Sequence, residues 1–348
     1  MKAHTKFDLN DVLIAPEPVS TIESRYKDVN VFYGNGGDEH LPIIAAPMDT
    51  VIENNRYLFI QNSIGLCVPR TSRADVPIRA ISVFPIFKAV SLEEFENYID
   101  RLSNLPDYIL IDIANGHMSR LYKALDRFKK SKHFQYSHVM IGNIANPFTY
   151  KYICMQYSWV HSVRIGIGNG NGCLTTQQTG IGYPMGSLIA ECSTIYKMEG
   201  GPKIVADGGM KSYADIIKAL ALGAHYVMLG SVLNKALESA ADTYLFGFKI
   251  NQYGNFAKWA FKNGLPLYKD FRGMSTKTVQ KKIGSILKTS EGIEKKQKVE
   301  YTLESWVDNF KHYLSSAMSY TNSRTLDEFI GNVEYNLVTT EAVNRYRK

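Results

Sequence analysis

The stretch KIVADGGMKSYADIIKALALGAHYVMLGS, residues 203–231, decides the fold. It opens on a short β-branched run, KIVAD, and breaks at Asp207-Gly208-Gly209. It then takes helical spacing through SYADIIKALALG (212–223) and returns to an apolar run, HYVMLG (225–230), that ends at Gly230-Ser231. An apolar run, a polar or glycine turn, a helix and a second apolar run make one βαβ unit, and such units build parallel sheets. Working outward, similar runs occur at 41–46, 64–68, 79–84, 107–112, 138–142 and 160–166, which makes eight with the two above. Helical patterns such as SLEEFENYIDRLS (91–103) and SRLYKALDRFKK (119–130) lie between them. Eight units in one chain predict an α/β protein built as a single (β/α)8 TIM barrel over 1–348, with no inserted second domain.

Polar residues and glycines follow these runs: Met48-Asp49, Arg70, Asp112, Asn143, the glycines from Gly166 to Gly172, Asp207-Gly208-Gly209 and Gly230-Ser231. Barrels of this kind build active sites at the C-terminal strand ends, and often bind phosphate at the seventh and eighth. Residues 265–303 are polar, glycine-bearing and rich in lysine, so they are expected to form a flap excursion with little core. From Tyr301 the pattern turns helical again in LESWVDNFKHYLSSAMSY, a tail expected to pack on the barrel.

Composition narrows the class. Of 348 residues, 45% are hydrophobic and 21% charged, enough for a large core and against a disordered chain. No run approaches the roughly 20 apolar residues of a membrane span. The N-terminus lacks the apolar region of a signal peptide, so a cytoplasmic protein without a membrane partner is expected. The net charge of +7 suits a phosphorylated small ligand as well as nucleic acid. The clustered Lys277, Lys281, Lys282, Lys288, Lys295, Lys296 and Lys298 have no interleaved aromatics, so they read as a solvated loop and no nucleic acid is expected. Cys67, Cys154, Cys173 and Cys192 fall in no metal-type spacing. Cys67, Cys154 and Cys192 read as inert buried thiols. Cys173 sits instead in RIGIGNGNGCLTTQQTGIGYP (164–184), a glycine-framed loop that exposes backbone groups and one thiol, a setting for a nucleophile.

These motifs, in order, resemble the IMP dehydrogenase and GMP reductase superfamily over nearly the whole chain. The resemblance rests on FDLNDVL (7–13), AAPMDTV (45–51), IDIANGH (111–117), GIGNGNGCLTT (166–176), TGIGYP (179–184), ADGGM (206–210), VMLGS (227–231), FRGMS (271–275) and SEGIE (290–294). Tyr183, the lack of the regulatory CBS insertion, and the lack of an Arg-Tyr pair between Gly273 and Glu291 lean toward the reductase branch.

The resemblance implies NADPH-dependent reductive deamination of GMP to IMP and ammonia. Cys173 would attack purine C2 to give a thioimidate, and Thr175 with Glu291 would protonate the leaving amine. Met48, Asp207, Gly208, Gly209, Gly230, Ser231, Gly273, Met274, Ser275, Lys288 and Gly292 would bind the nucleotide. Arg70, Asp112, Asn115, Gly116, Ile167 and Gly168 would face NADPH. Carbonyls of Gly168, Gly170 and Cys173 would hold K⁺, and a homotetramer is implied. Asn171, Leu174, Thr176, Met185, Lys288 and Arg70 stand where the family usually has other residues. They leave open two alternatives: a divergent purine-nucleotide oxidoreductase, dehydrogenase-like or acting on a deoxy or modified purine nucleotide, and a nucleotide- or RNA-binding barrel without turnover.

Overall fold

A computed structural model describes residues 5–34, 39–72, 86–100, 106–274, 276–282 and 292–346. After β1 (Val12–Ile14), eight parallel strands follow: β2 (Ile43–Ala45), β3 (Gly65–Val68), β4 (Ile86–Val90), β5 (Tyr108–Asp112), β6 (His138–Ile144), β7 (Ser162–Ile165), β8 (Lys203–Asp207) and β9 (Tyr226–Leu229). They close on themselves, β9 pairing with β2 so that Leu229 lies opposite Ala45. The chain is therefore an α/β barrel of the (β/α)8 type.

Period-two alternation divides the apolar residues between two cores. Ile44, Cys67, Phe87, Ala89, Leu110, Met140, Val205 and Met228 fill the barrel interior. Their neighbours along the strands, such as Ile43, Leu66, Ile109, Ile204 and Ala206, face outward against the helices. The helix Tyr213–Ala221 shows why the helical segments form. Ser212 and Asp215 cap each other's backbone N–H, while Ile216, Ile217 and Leu220 pack inward. The tail helix Leu303–Tyr320 lays Leu303, Trp306, Phe310, Leu314 and Met318 on the barrel, as its spacing predicts.

Two expectations are corrected. The third barrel strand is Ile86–Val90, whereas the run expected at 79–84 lies outside the described residues. Lys88 disguises this strand in the sequence, because a lysine breaks the apolar run. Its ammonium donates to the carbonyls of Pro69 (3.3 Å) and Ser72 (3.0 Å). The excursion expected at 265–303 belongs to a larger unit that begins at Thr243. This is a four-stranded antiparallel sheet of β10 (Thr243–Leu245), β11 (Phe248–Ile250), β12 (Leu267–Arg272) and β13 (Glu294–Lys298), in the order β11-β10-β12-β13. Leu237, Leu245, Ala257, Ala260, Leu267 and Val299 give it a small core of its own. Strand β13, EKKQK, has no apolar period and extends because its backbone pairs with β12. Finally, β14 (Tyr335–Leu337) pairs with β1 outside the barrel. Among the described residues, no helix is long and apolar enough to cross a membrane.

Candidate active site

The C-terminal strand ends surround a cavity of about 370 Å³, within the range of small-molecule sites. Of the residues singled out from sequence, Met48, Arg70, Asp112, Ile167, Gly168, Gly170, Cys173, Thr175, Asp207, Gly208, Gly209, Gly230, Ser231, Gly273 and Met274 line it together. The Asp207-Gly208-Gly209 and Gly230-Ser231 turns thus open into one space, although each alone would be an ordinary turn. Asn115 and Gly116 do not line it: the Gly116 N–H donates to the Asn143 carbonyl (2.7 Å), and the exposed Asn115 accepts the His117 N–H on its amide oxygen (3.1 Å). Ser275, Lys288 and Glu291 lie outside the described residues.

The thiol is set by backbone. The Cys173 N–H closes a turn onto the Gly170 carbonyl (3.0 Å), and Sγ donates to Thr175 Oγ1 (3.2 Å). Cys173 also bridges Gly292 in antiparallel fashion, with the Ile293 N–H on the Gly172 carbonyl (3.0 Å). The Gly273 N–H in turn bonds the Ile293 carbonyl (3.1 Å), so three segments distant in sequence meet at the thiol. The contact requires glycine. A Cβ on Gly273 would stand 2.4 Å from the Gly172 carbonyl oxygen, and one on Gly208 would stand 2.7 Å from the Gly170 nitrogen. The other three cysteines are buried, and burial pushes their thiols up, away from the reactive thiolate.

The electrostatic centre is Arg164, which sequence reasoning passed over as part of the sixth run. Its guanidinium is buried and spans two carboxylates, with Nη1 on Asp112 Oδ1 and Nη2 on Asp207 Oδ2, both at 2.8 Å. Burial opposes its charge, but Asp207 and Asp112 outweigh that and raise its pKa. Asn143 adds a bond to Asp207 Oδ2 (2.8 Å) and another to the Gly166 carbonyl (2.7 Å). One buried cation therefore ties the carboxylate expected at the cofactor to the one expected at the ribose. The cation and its anions are 43 and 52 residues apart, which is why spacing gave no signal.

A second ion cluster sits beside Met48. The Asp49 side chain is only 1% exposed, and it accepts from Arg272 Nε (3.1 Å) and Nη2 (2.6 Å) and from Lys282 Nζ (2.7 Å). Burial works against its charge, yet Arg272 and Lys282 hold the carboxyl below the usual range. Asp49 thereby fastens the loop after β2 to the segment that carries Gly273 and Met274. Lys211 and Phe271 complete the wall and were not singled out in the sequence.

The arrangement combines a half-buried thiol, a hydroxyl in contact with it, carboxylates with fixed partners, and two glycine turns. It can bind a phosphorylated ligand and attack an electrophilic carbon. No group of three or more His, Cys, Asp or Glu among the described residues could hold a metal ion.

Comparison with known proteins identifies the family. The family model of the IMP dehydrogenase / GMP reductase domain matches residues 87–346. Similar proteins include a GMP reductase from Oceanobacillus iheyensis, 28% identical, and one from Clostridium acetobutylicum, 29% identical, each aligned over 97% of both chains. An inosine-5'-monophosphate dehydrogenase from Cryptosporidium parvum is 30% identical over 68% of this chain and 56% of its own length.

Proposed function

The chain belongs to the IMP dehydrogenase / GMP reductase family, and from that premise we propose that it is an oxidoreductase that converts GMP to IMP and ammonia with NADPH. The observation that carries the reading is the Cys173–Thr175 contact inside the cavity where the two glycine turns meet. Cys173 loses its proton and attacks C2 of the purine. Thr175, with Glu291, delivers a proton to the exocyclic amine, which leaves as ammonia, and a thioimidate remains between Cys173 and C2. General-acid assistance of this kind contributes typically about 10²- to 10⁴-fold. Transfer of hydride to C2 and departure of the thiolate then give IMP, so one NADPH is oxidised for each amine released. Asp207, with Oδ2 occupied by Arg164 and Asn143, offers its other oxygen to ribose hydroxyls. The turns at Gly208-Gly209 and Gly230-Ser231 offer backbone N–H groups to the phosphate. Met274, Ser275, Lys288 and Gly292 complete the nucleotide contacts.

The cofactor side fits a polar dinucleotide: Arg70 Nε is buried with no hydrogen-bond partner among the described residues, and Asp112 lines the same wall. Arg70, Asp112, Asn115, Gly116, Ile167 and Gly168 would hold NADPH, which supplies the hydride. Neutral carbonyls suit a large monovalent cation, and K⁺ at Gly168, Gly170 and Cys173 would order the loop. Comparing rates in K⁺ and Na⁺ tests that. The homotetrameric state rests on the resemblance alone.

The test is NADPH absorbance at 340 nm with GMP as substrate, repeated with dGMP and other purine nucleotides. No oxidation with any of them would leave a binding barrel without turnover. A second reading, dehydrogenation of IMP, is favoured by the Cryptosporidium relative. It requires a base to activate water, and STKTVQKKIGSILKTS (275–290) offers only lysines as titrating groups. XMP formed from IMP and NAD⁺ at rates rivalling GMP reduction would select it.

A further inference from the structure

The four-stranded sheet beside the barrel carries an aromatic face that the proposed reaction leaves unused. Strands β10 and β11 are joined by the two-residue turn Phe246-Gly247, with Leu245 paired to Phe248. Both turn residues have positive φ, 49° at Phe246 and 87° at Gly247. Such turns favour Asn-Gly, and a bulky aromatic in the left-handed region is strained. Burial does not compensate for the strain, because Phe246 is 69% and Phe248 78% exposed. A strained residue that gains nothing within the chain points to a role outside it.

The neighbouring helix Asn255–Lys262 repeats the pattern. It turns Ala257 and Ala260 inward onto Leu245 and Leu267, and leaves Phe256 (55%) and Trp259 (56%) in solvent. That inverts the usual order of a surface helix. Phe248 lies opposite Leu245 in register and so shares the sheet face on which this helix packs. From Thr243 to Lys269 the sequence contains no Asp or Glu, while Lys249, Lys258 and Lys262 are exposed around the aromatics. Lys249 pairs with the half-buried Asp242 at 2.8 Å, and Lys258 lines a surface cleft with Glu238 and Glu304.

We propose that the Phe246–Phe248 hairpin tip and the Asn255–Lys262 helix form a docking face for an anionic lipid surface. The phenylalanines would enter the headgroup region and the lysines would meet lipid phosphates and carboxylates. Charge selects the partner. A basic face repels a second copy of itself, and protruding phenylalanines on a convex tip suit acyl chains better than base stacking. The sequence-based expectation of no membrane partner rested on the lack of a spanning segment, which a peripheral face does not need.

The test is cosedimentation of the full chain with vesicles of phosphatidylcholine, alone or with about a third phosphatidylserine. Binding should be at least about tenfold greater on the anionic vesicles and should weaken in about 0.5 M salt. The double variant Phe246→Asn, Phe248→Ser should bind at least about fivefold less. Its melting temperature should be equal or higher, since Asn relieves the turn. Equal binding by parent and variant, or no binding to either vesicle, would overturn the proposal. So would a variant that changes the sedimenting mass of the protein alone, marking a contact between copies, or one that loses affinity for a single-stranded oligonucleotide instead.

Discussion

The two mouths of the barrel use their polar side chains in opposite ways. At the N-terminal mouth the groups pack on one another. Tyr108 stacks on His138 (4.7 Å between centroids), His40 Nε2 meets Tyr226 OH (3.0 Å), and Lys203 lies over the rings of Tyr33 (5.2 Å) and Tyr226 (5.5 Å). Tyr33 OH donates to the His225 carbonyl (3.0 Å), and His225 Nδ1 accepts the Ile204 N–H (3.1 Å). At the C-terminal mouth the groups are held apart by glycine turns around a cavity. Buried atoms there, Arg164 Nε, Arg70 Nε and Asn169 Oδ1, have no hydrogen-bond partner among the described residues. Satisfied polar groups close an end of the barrel, whereas pre-aligned and incompletely satisfied ones leave it ready for a ligand.

The comparison breaks most sharply at the thiol. Cys173→Ala should abolish GMP reduction, at least about a thousandfold as expected for a covalent nucleophile. Nucleotide affinity by calorimetry should stay within about tenfold. Cys67→Ala, deep in the barrel interior, should lower stability and spare the chemistry. Substantial turnover by the Cys173 variant would end the covalent account.

Charge at the two mouths differs in kind. Arg164→Met leaves Asp112 and Asp207 facing each other without their cation, and should cost about 3–5 kcal/mol by chemical denaturation. Lys203→Met removes a cation resting on rings and should cost less than about 2 kcal/mol. Similar losses at both sites would erase the distinction. A smaller effect is expected from Asp49→Asn, which frees Arg272 and Lys282 but keeps the side-chain shape. Loss of charged hydrogen bonds worth about 1.5–3 kcal/mol should raise the GMP KM about tenfold or more. The effect on kcat should stay within about threefold, because Asp49 touches no expected reacting atom. A fall in kcat at unchanged KM would remove Asp49 from substrate positioning.

The last effect belongs to pH at the closed mouth. Burial, with Lys203 nearby, lowers His161 and His225 from 6.5 to about 4, so both are neutral in the folded chain. Their contribution is complete above the unfolded pKa and is lost as pH falls from 6.5 toward 4, by roughly 1–2 kcal/mol per histidine at pH 5. Melting temperatures from pH 7.5 to 4.5 should show this decline, and His161→Phe should flatten it. Asp49, held low by Arg272 and Lys282, would begin to lose its charge only below the ordinary carboxylate range, so the open mouth should keep its ion cluster through the same interval.

The sequence by itself determined what depends on neighbours along the chain. Apolar runs alternating with helical spacing specify a barrel, and the glycines after its strands mark the end where chemistry is built. Cys173 announced itself by its glycine frame, and the ordered motifs carried the family resemblance. Tertiary structure alone decided what depends on partners far away. Lys88 hides the third strand until the carbonyls it bonds are in place. EKKQK becomes a strand because β12 supplies its backbone hydrogen bonds. Arg164 matters because folding brings Asp112 and Asp207 to either side of it, and Asp49 because Arg272 and Lys282 return to it from more than two hundred residues away. The physical reason is common to all of these: periodicity records which face of an element is buried, whereas a buried charge or an unpaired backbone is satisfied only by the groups that the fold brings to it.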